Sequence, residues 1–361
     1  MELYYILFAK KNAVNNSAAF NRILLFAKGL REIDGVNVTI KIIDVMPFYS
    51  SILNKIVAPF LLLYYFSPFI IYIRKAKLIF YGESIAYRLF PILKKFNTIF
   101  VERTEFPTHM ISTDSISSKL ERFCLSFLKS LKYADGFITC SNKLASFYSN
   151  YLNEGTPVFI SPLIVDVHLF SQYSSEKIKN IVTYCGDWGN NKDGVDILIQ
   201  AFSLIHNKYP NFRLVLIGGS TSMVEERLHK LVENLGIESV VDFVGRIDHN
   251  RMPFYLSSSA LLALARPANK QAAGGIPSKV AEYLSTKRPV VLTDVGELSK
   301  FLHDGVNCYM CAPSSVDAFA LKMDYALSDI NSLEIGKRGY QTVLQFDYSI
   351  QSNLLYDFLK L

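Results

Sequence analysis

Residues 274–296, GGIPSKVAEYLSTKRPVVLTDVG, are the stretch whose reading sets the fold. A glycine pair leads into the start of a helix, a carboxylate follows on that helix, and a buried strand then ends in another glycine turn. Pro277 suits a first helical turn, where its missing N–H costs nothing. The free N–H groups of such a turn, with the helix dipole behind them, make an anion site. Gly274 and Gly275 let a phosphate-bearing ligand approach the backbone closely. Glu282 lies four residues after Ser278, so the two side chains share one helix face. A carboxylate one turn in from a phosphate site is placed to accept hydrogen bonds from sugar hydroxyls. That geometry suits a nucleotide sugar.

Working outward, the same alternation of strand and helix recurs. Behind this stretch lie a strand from residue 181, a helix over 195–209, a strand at 213–218, a helix over 224–235 and a strand at 240–244. The first half opens with a strand at 3–9. A helix over 18–30 follows, with Phe20, Ile23, Leu24, Ala27 and Leu30 on one side, and then a strand at 36–45. Further strands read at 78–81, 98–102 and 134–140, with an amphipathic helix over 120–131. Residues 156–170, TPVFISPLIVDVHLF, and the polar run 171–180 mark a boundary. No short-period repeat occurs. The expected architecture is α/β, with two doubly wound, Rossmann-like domains facing a cleft. Their expected limits are 1–172 and 173–345, with an amphipathic final helix over 346–361.

The 361 residues exceed one ordinary core. Half are hydrophobic and 19% are charged, which excludes a disordered or acidic-tail protein. The net charge of +6 is modest, and no dense Lys/Arg stripe with interleaved aromatics tracks a nucleic acid, so none is expected as a partner. Of the five cysteines, Cys124, Cys140, Cys185, Cys308 and Cys311, only Cys308 and Cys311 form a C-x-x-C pair. With no second pair there is no zinc site. Reduced cytoplasmic thiols are the favoured reading over a redox pair. The opening MELYYILFAKKNAVNN lacks the basic start, apolar run and cleavage site of a secretion signal.

Residues 52–73, ILNKIVAPFLLLYYFSPFIIYI, are followed by Arg74, Lys75 and Lys77. Their length approaches a membrane span. Pro59 and Pro68 interrupt them, and Tyr64, Tyr65 and Tyr72 belong at an interface rather than a bilayer centre. A span, a buried core helix and a segment lying on the membrane surface all stay open, with surface docking favoured.

The order of motifs resembles that of the family-four retaining glycosyltransferases (glycosyl transferases group 1). Carrying it are YADGFITCSNKLASFY (133–148), SPLIVDVHLF (161–170), the G-x5-K-D-G loop 186–194, VLIGG (215–219), VDFVGRIDHNRMPFYLSSSALLAL (241–264), GGIPSKVAEYL (274–284) and TDVGELSKFLHDGVN (293–307). No single motif is decisive; the series, over roughly the last two-thirds of the chain, is strong. The resemblance implies the GT-B fold, a nucleotide-diphosphate sugar as substrate, retention of anomeric configuration, and no metal or other cofactor. It also implies that the last helix crosses back to the first domain.

By that resemblance Lys192 is a point charge on the departing diphosphate, in a loop that begins at Gly186. Relatives place an arginine a few residues before this lysine; here the stretch reads Gly186, Asp187, Trp188, Gly189. Either Arg266 or Lys279 substitutes, or leaving-group stabilisation is weaker. Glu282 fills the second position of the family's E-x7-E pair and holds the ribose hydroxyls; the first position is Gly274. Gly218, Gly275, Ile276, Pro277 and Ser278 complete the donor loops. Arg246 falls where the family's backbone meets the nucleobase, or is an exposed turn residue. Glu297, after Gly296, either lies near sugar and diphosphate or caps the helix that follows.

On the acceptor side, Asn15, Asn16 and Ser17 occupy the family's flexible loop, although Ser17 also reads as an N-cap. Glu102, Arg103, Glu105 and His109 cluster in VERTEFPTHM at a strand's carboxyl end, where a carboxylate–histidine group could orient an acceptor hydroxyl or take its proton. The resemblance also implies front-face attack, with the departing phosphate as base, where retention has no placed nucleophile. The expected enzyme is cytoplasmic and peripheral on the inner face of the cell membrane. It extends a glycan acceptor, polyprenyl-linked on the strength of residues 52–77, for capsule, exopolysaccharide or O-antigen synthesis. A non-catalytic GT-B-like scaffold binding membrane or partner is the alternative, and a sugar-nucleotide epimerase a weaker one.

Overall fold

The computed structural model describes residues 1–9, 17–44, 52–83, 85–107, 110, 127–173, 177–189 and 192–361. Two compact units emerge: Met1–Ile164 with Tyr348–Leu361, and Val165–Asp347. The boundary therefore falls ahead of residue 172, because 165–172 pack in the second unit. There the Val167 N–H donates to Asp347 at 3.2 Å and the Ser257 hydroxyl to the Phe170 carbonyl at 3.4 Å.

The first unit carries β1 (Glu2–Ala9), β2 (Asn37–Asp44), β3 (Lys77–Tyr81), β4 (Thr98–Arg103), β5 (Gly136–Thr139) and β6 (Val158–Ile160). They form one parallel sheet in the order β2-β1-β3-β4-β5-β6. The second unit carries β7 (Lys179–Asp187), β8 (Arg213–Gly219), β9 (Val241–Gly245), β10 (Ser259–Leu264), β11 (Val290–Thr293) and β12 (Tyr309–Cys311). Their parallel order is β12-β11-β10-β7-β8-β9. Parallel strands are covered on both faces and so read as continuous apolar runs. The VVLT of β11 is buried at every residue.

In each sheet the strand order reverses once, between β1 and β3 and between β7 and β10. Such reversals leave a crevice at the carboxyl ends of the strands.

The helices follow the expected order with shifted ends. Val195–Ile205 is α-helical and tightens to a 3-10 turn at His206–Lys208. Of the helix expected over 120–131, only the last residues are described, and they lead into a 3-10 turn, Lys129–Tyr133. The closing helix Tyr348–Leu359 belongs to the first unit and lies on helix Ala18–Arg31. Gly29 allows that approach, since a Cβ there would stand 2.7 Å from Ser352 Cβ. Gln351 anchors the helix further through the Ser161 hydroxyl at 2.7 Å.

Helix Ile52–Ile71 turns Leu62, Phe66 and Phe69 into the core of the first unit. Phe66 stacks on Phe80 at 5.8 Å, and Phe69 meets Tyr4 edge-on at 5.0 Å. Among the described residues no helix is long and apolar enough to cross a membrane.

Candidate functional site

The crevice at β7 and β10 collects most of the residues that the motifs single out. β10 pairs with β7 only as far as Leu262 with Thr183, whereas β7 stays paired with β8 through Asp187. Beyond Thr183 the Cys185 N–H is taken up by the Tyr283 hydroxyl at 2.8 Å, from helix Lys279–Ser285. A helix side chain thus replaces the departed strand and satisfies the edge amide.

Two glycines shape the floor. Gly186 and Gly218 face each other at the ends of β7 and β8. A Cβ on Gly218, which sits at φ +137, would run into the Gly186 carbonyl oxygen; one on Gly186 would strike Lys279 Nζ. Backbone closes the position of Gly218 to any side chain, whereas one at Gly186 would have to displace Lys279.

At this edge Lys279 Nζ meets the Asp193 carboxylate, which is 3% exposed. The Tyr184 hydroxyl donates to the same carboxylate at 2.9 Å and to the Asp187 carbonyl at 2.7 Å. Burial works against the Asp193 charge. The Lys279 charge and hydrogen bond, the nearby Arg266 guanidinium and the Tyr184 hydroxyl outweigh it and hold the carboxyl below the ordinary aspartate value. Arg266 is itself buried, at the end of β10, where its carbonyl accepts from Thr293 at 2.6 Å. Cys185 shows the same field from another side. Burial, reinforced by Glu282 and opposed by Lys279, pushes its thiol up to about 12.

Lys192 is half-buried beside Asp193, in the turn ahead of helix Val195–Ile205. That helix begins at Gly194, held at φ +66 where a Cβ would strike the Ala265 carbonyl. Glu282 is half-buried on helix Lys279–Ser285, three residues on from Lys279. Arg246 is exposed after β9 and stands beside Gly219, so it shares the carboxyl edge. Among the described residues no group of His, Cys, Asp or Glu is placed to hold a metal ion.

Several donor-loop residues take other roles than expected. Helix Lys279–Ser285 starts after the N-cap Ser278, so Pro277 precedes the first turn instead of filling it. Gly274 ends a short helix, Lys270–Gly274, and Gly275 is its C-cap at φ −93, a conformation that needs no glycine. Ile276, half-buried, bridges the two helices. The conformationally required glycine is Gly296, at φ +67, where a Cβ would stand 2.9 Å from the Gly275 carbonyl oxygen. Glu297 pairs with Lys300 at 2.8 Å and makes no side-chain cap to the turn that follows.

Asp193, Tyr184 and Tyr283 carried no assigned role in the sequence. Asp193 stands inside the K-D-G motif, and Tyr184 lies two residues before Gly186, hence on the same face of β7. Those spacings were the available signals.

Residues 179–329, all within the second unit, match the family model of glycosyl transferases group 1. The match takes in most of the second unit and none of the first. An uncharacterized glycosyltransferase of Haemophilus influenzae is 24% identical over 159 residues, covering 44% of this chain and 42% of that protein. The chain thus matches less than half the length of this relative. Sucrose-phosphate synthase from Thermosynechococcus elongatus superposes with a TM-score of 0.77 at 16% identity, over 99% of this chain and 98% of that one. The Anabaena protein HepE, solved with UDP and glucose, does so with a TM-score of 0.72 at 16% identity, over 98% and 99%. The likeness is one of fold, and that fold is GT-B. In the matched region, Asp193 and the helix bearing Lys279 and Glu282 meet at the switch point.

The first unit places its candidates on two faces of one strand. Glu102, with 0% exposure, pairs with Arg22 at 2.6 Å on the face that helix Ala18–Arg31 covers. Arg103 points the other way, pairing with Glu83 at 3.0 Å and lying 5.4 Å over the Tyr148 ring. Glu105 enters through its backbone, accepting from the Tyr148 hydroxyl at 2.9 Å. Ser17 caps its helix through the Phe20 N–H at 3.1 Å. Asn15, Asn16, His109 and Cys124 lie outside the described residues.

Proposed function

We propose that the protein is a retaining glycosyltransferase that moves a sugar from a nucleotide-diphosphate donor to a glycan acceptor, without a metal ion. The observation that carries this reading is the Lys279 ammonium, held by Asp193 and Tyr184 at the carboxyl edge of β7. Transfer breaks the bond between the sugar's anomeric carbon and a phosphate oxygen, and negative charge grows on the diphosphate as it leaves. Cations fixed in place and shielded from water stabilise that charge most. Lys192, Lys279 and Arg266 are the cations that would meet that charge. Lys279 and Arg266 take the place of the arginine that the Gly186–Gly189 turn lacks. Glu282 accepts from the ribose hydroxyls. The acceptor oxygen attacks on the face the leaving group vacates, and its proton passes to the departing phosphate. The UDP bound by HepE makes uracil the first base to test.

For the acceptor we propose a lipid-linked glycan in surface-polysaccharide synthesis, with the enzyme at the cytoplasmic face of the cell membrane. The apolar helix Ile52–Ile71 with the basic turn after it supports this.

A thermal-shift panel of nucleotide sugars and free nucleoside diphosphates, with and without EDTA, tests the donor reading. A ligand at one hundred times its Kd stabilises by about 2.7 kcal/mol. One base is expected to stand out, insensitive to EDTA, with the shift reduced in Lys192→Ala and Glu282→Ala. No shift with any nucleoside diphosphate would sink the donor reading, and a shift abolished by EDTA would sink metal independence.

A further inference from the structure

The outer face of helix Ile52–Ile71 has no role in the donor site. Phe60, Leu63, Tyr64 and Ile71 follow a helical stripe, and Tyr72 extends it; they are 69%, 45%, 74%, 54% and 81% exposed. The opposite face is locked into the core through Leu62, Phe66 and Phe69, so the stripe cannot turn inward. The short helix Phe90–Leu93 packs alongside and adds Ile92, also exposed.

At the end of the stripe two turns are tied together, the Lys75 N–H donating to the Phe96 carbonyl at 2.7 Å. They carry Arg74, Lys75, Lys94 and Lys95, all exposed. Among the described residues only Lys94 of these four meets a carboxylate, Asp135 at 2.7 Å. The Arg74 guanidinium lies 5.0 Å over the Phe96 ring, which holds it beside the apolar stripe.

We infer that this face docks on an anionic lipid surface, the aromatic and aliphatic side chains entering the headgroup boundary and the basic turns facing lipid phosphates. Tyrosine is favoured at that depth, where its ring is buried and its hydroxyl stays wet. The lysines argue against a protein partner, since lysine is depleted in protein interfaces but drawn to anionic leaflets. The inference rests on the membrane placement proposed above and deepens it by naming the face and the lipid charge; its test uses no donor or acceptor, so its failure is distinct from failure of the donor reading.

The test is flotation of the full chain with phosphatidylcholine vesicles, alone and with one-third phosphatidylglycerol, in low and high salt. Binding is expected to be strong only with phosphatidylglycerol and to weaken with salt. Each cation contributes roughly fivefold in partitioning. Arg74→Glu with Lys95→Glu is therefore expected to reduce binding by at least tenfold. Tyr64→Ser with Tyr72→Ser should lower binding to a similar extent while leaving the melting temperature of these exposed sites unchanged. Wild-type protein that fails to float with anionic vesicles, or variants that bind as it does, would overturn the inference. So would a dimer in sedimentation velocity that Tyr64→Ser with Tyr72→Ser dissolves, because the stripe would then be a contact between copies.

Discussion

Lys279→Ala leaves the Asp193 carboxylate buried without its principal cation. Breaking a buried ion pair from one side costs about 3–5 kcal/mol. Arg266 still acts on the same carboxylate, so the lower end applies, about 3 kcal/mol. A unit of this size loses roughly 2–4 °C per kcal/mol, which predicts a fall of about 6–12 °C at pH 7. Trp188, the single tryptophan, is buried in the second unit, so its fluorescence follows the right transition even if the units melt separately. The sign of the pH dependence is fixed by the direction of the Asp193 shift. In the wild type that carboxyl is held below its unfolded value of about 3.9, so its contribution is present above that pH and lost as pH falls further. In Lys279→Ala the carboxyl loses the Lys279 charge and hydrogen bond, so less of that contribution is gained as pH rises. The gap between the proteins should therefore widen from pH 4 to pH 7. Lys279→Met with Asp193→Leu removes the pair together and should recover part of the loss, since Arg266 and Tyr184 then lose the same carboxylate. A Lys279→Ala protein that melts within about 2 °C of wild type, well short of that estimate, would refute the buried pair. So would a gap that ignores pH.

Gly218→Ala drives a Cβ into the Gly186 carbonyl oxygen and should cost about 3 kcal/mol or more, whereas Gly236→Ala, at φ +67 with open space around it, should cost roughly 1 kcal/mol; Trp188 melting curves compare the two. Glu102→Gln leaves the Arg22 charge without its counter-ion and should destabilise the first unit by about 3–5 kcal/mol, while Arg22→Met with Glu102→Leu should be near neutral in calorimetry. Burial, aided by neighbouring carboxylates, pushes the Cys185 and Cys308 thiols up to about 12, so native protein at pH 8 should not be modified there by a thiol-exchange reagent, and urea should expose both; rapid native labelling of either would contradict their placement.

The alternation of apolar runs with amphipathic helices determined the fold class, because strands buried on both faces leave continuous apolar runs and helices buried on one face leave a 3.6-residue period. Glycine positions such as Gly186, Gly194, Gly218 and Gly296 were legible for the same local reason: each backbone there leaves no room for a Cβ or lies at a φ few other residues adopt. The motifs put Lys192 in a turn and Glu282 on a helix, and the structure has them in those elements. Only the tertiary structure decided how charges pair, since that depends on strand order and not on spacing along the chain. Lys279 reaches Asp193 across 86 residues because β10 leaves β7 at the switch point and the helix closes the gap. Glu102 and Arg103, neighbours in sequence, face opposite sides of β4 and bind Arg22 and Glu83, as the two-residue period of a strand requires. Residues 52–73 read as uniformly apolar; which face is core and which meets solvent was settled by the rings of Tyr4, Phe8 and Phe80 that receive Phe66 and Phe69.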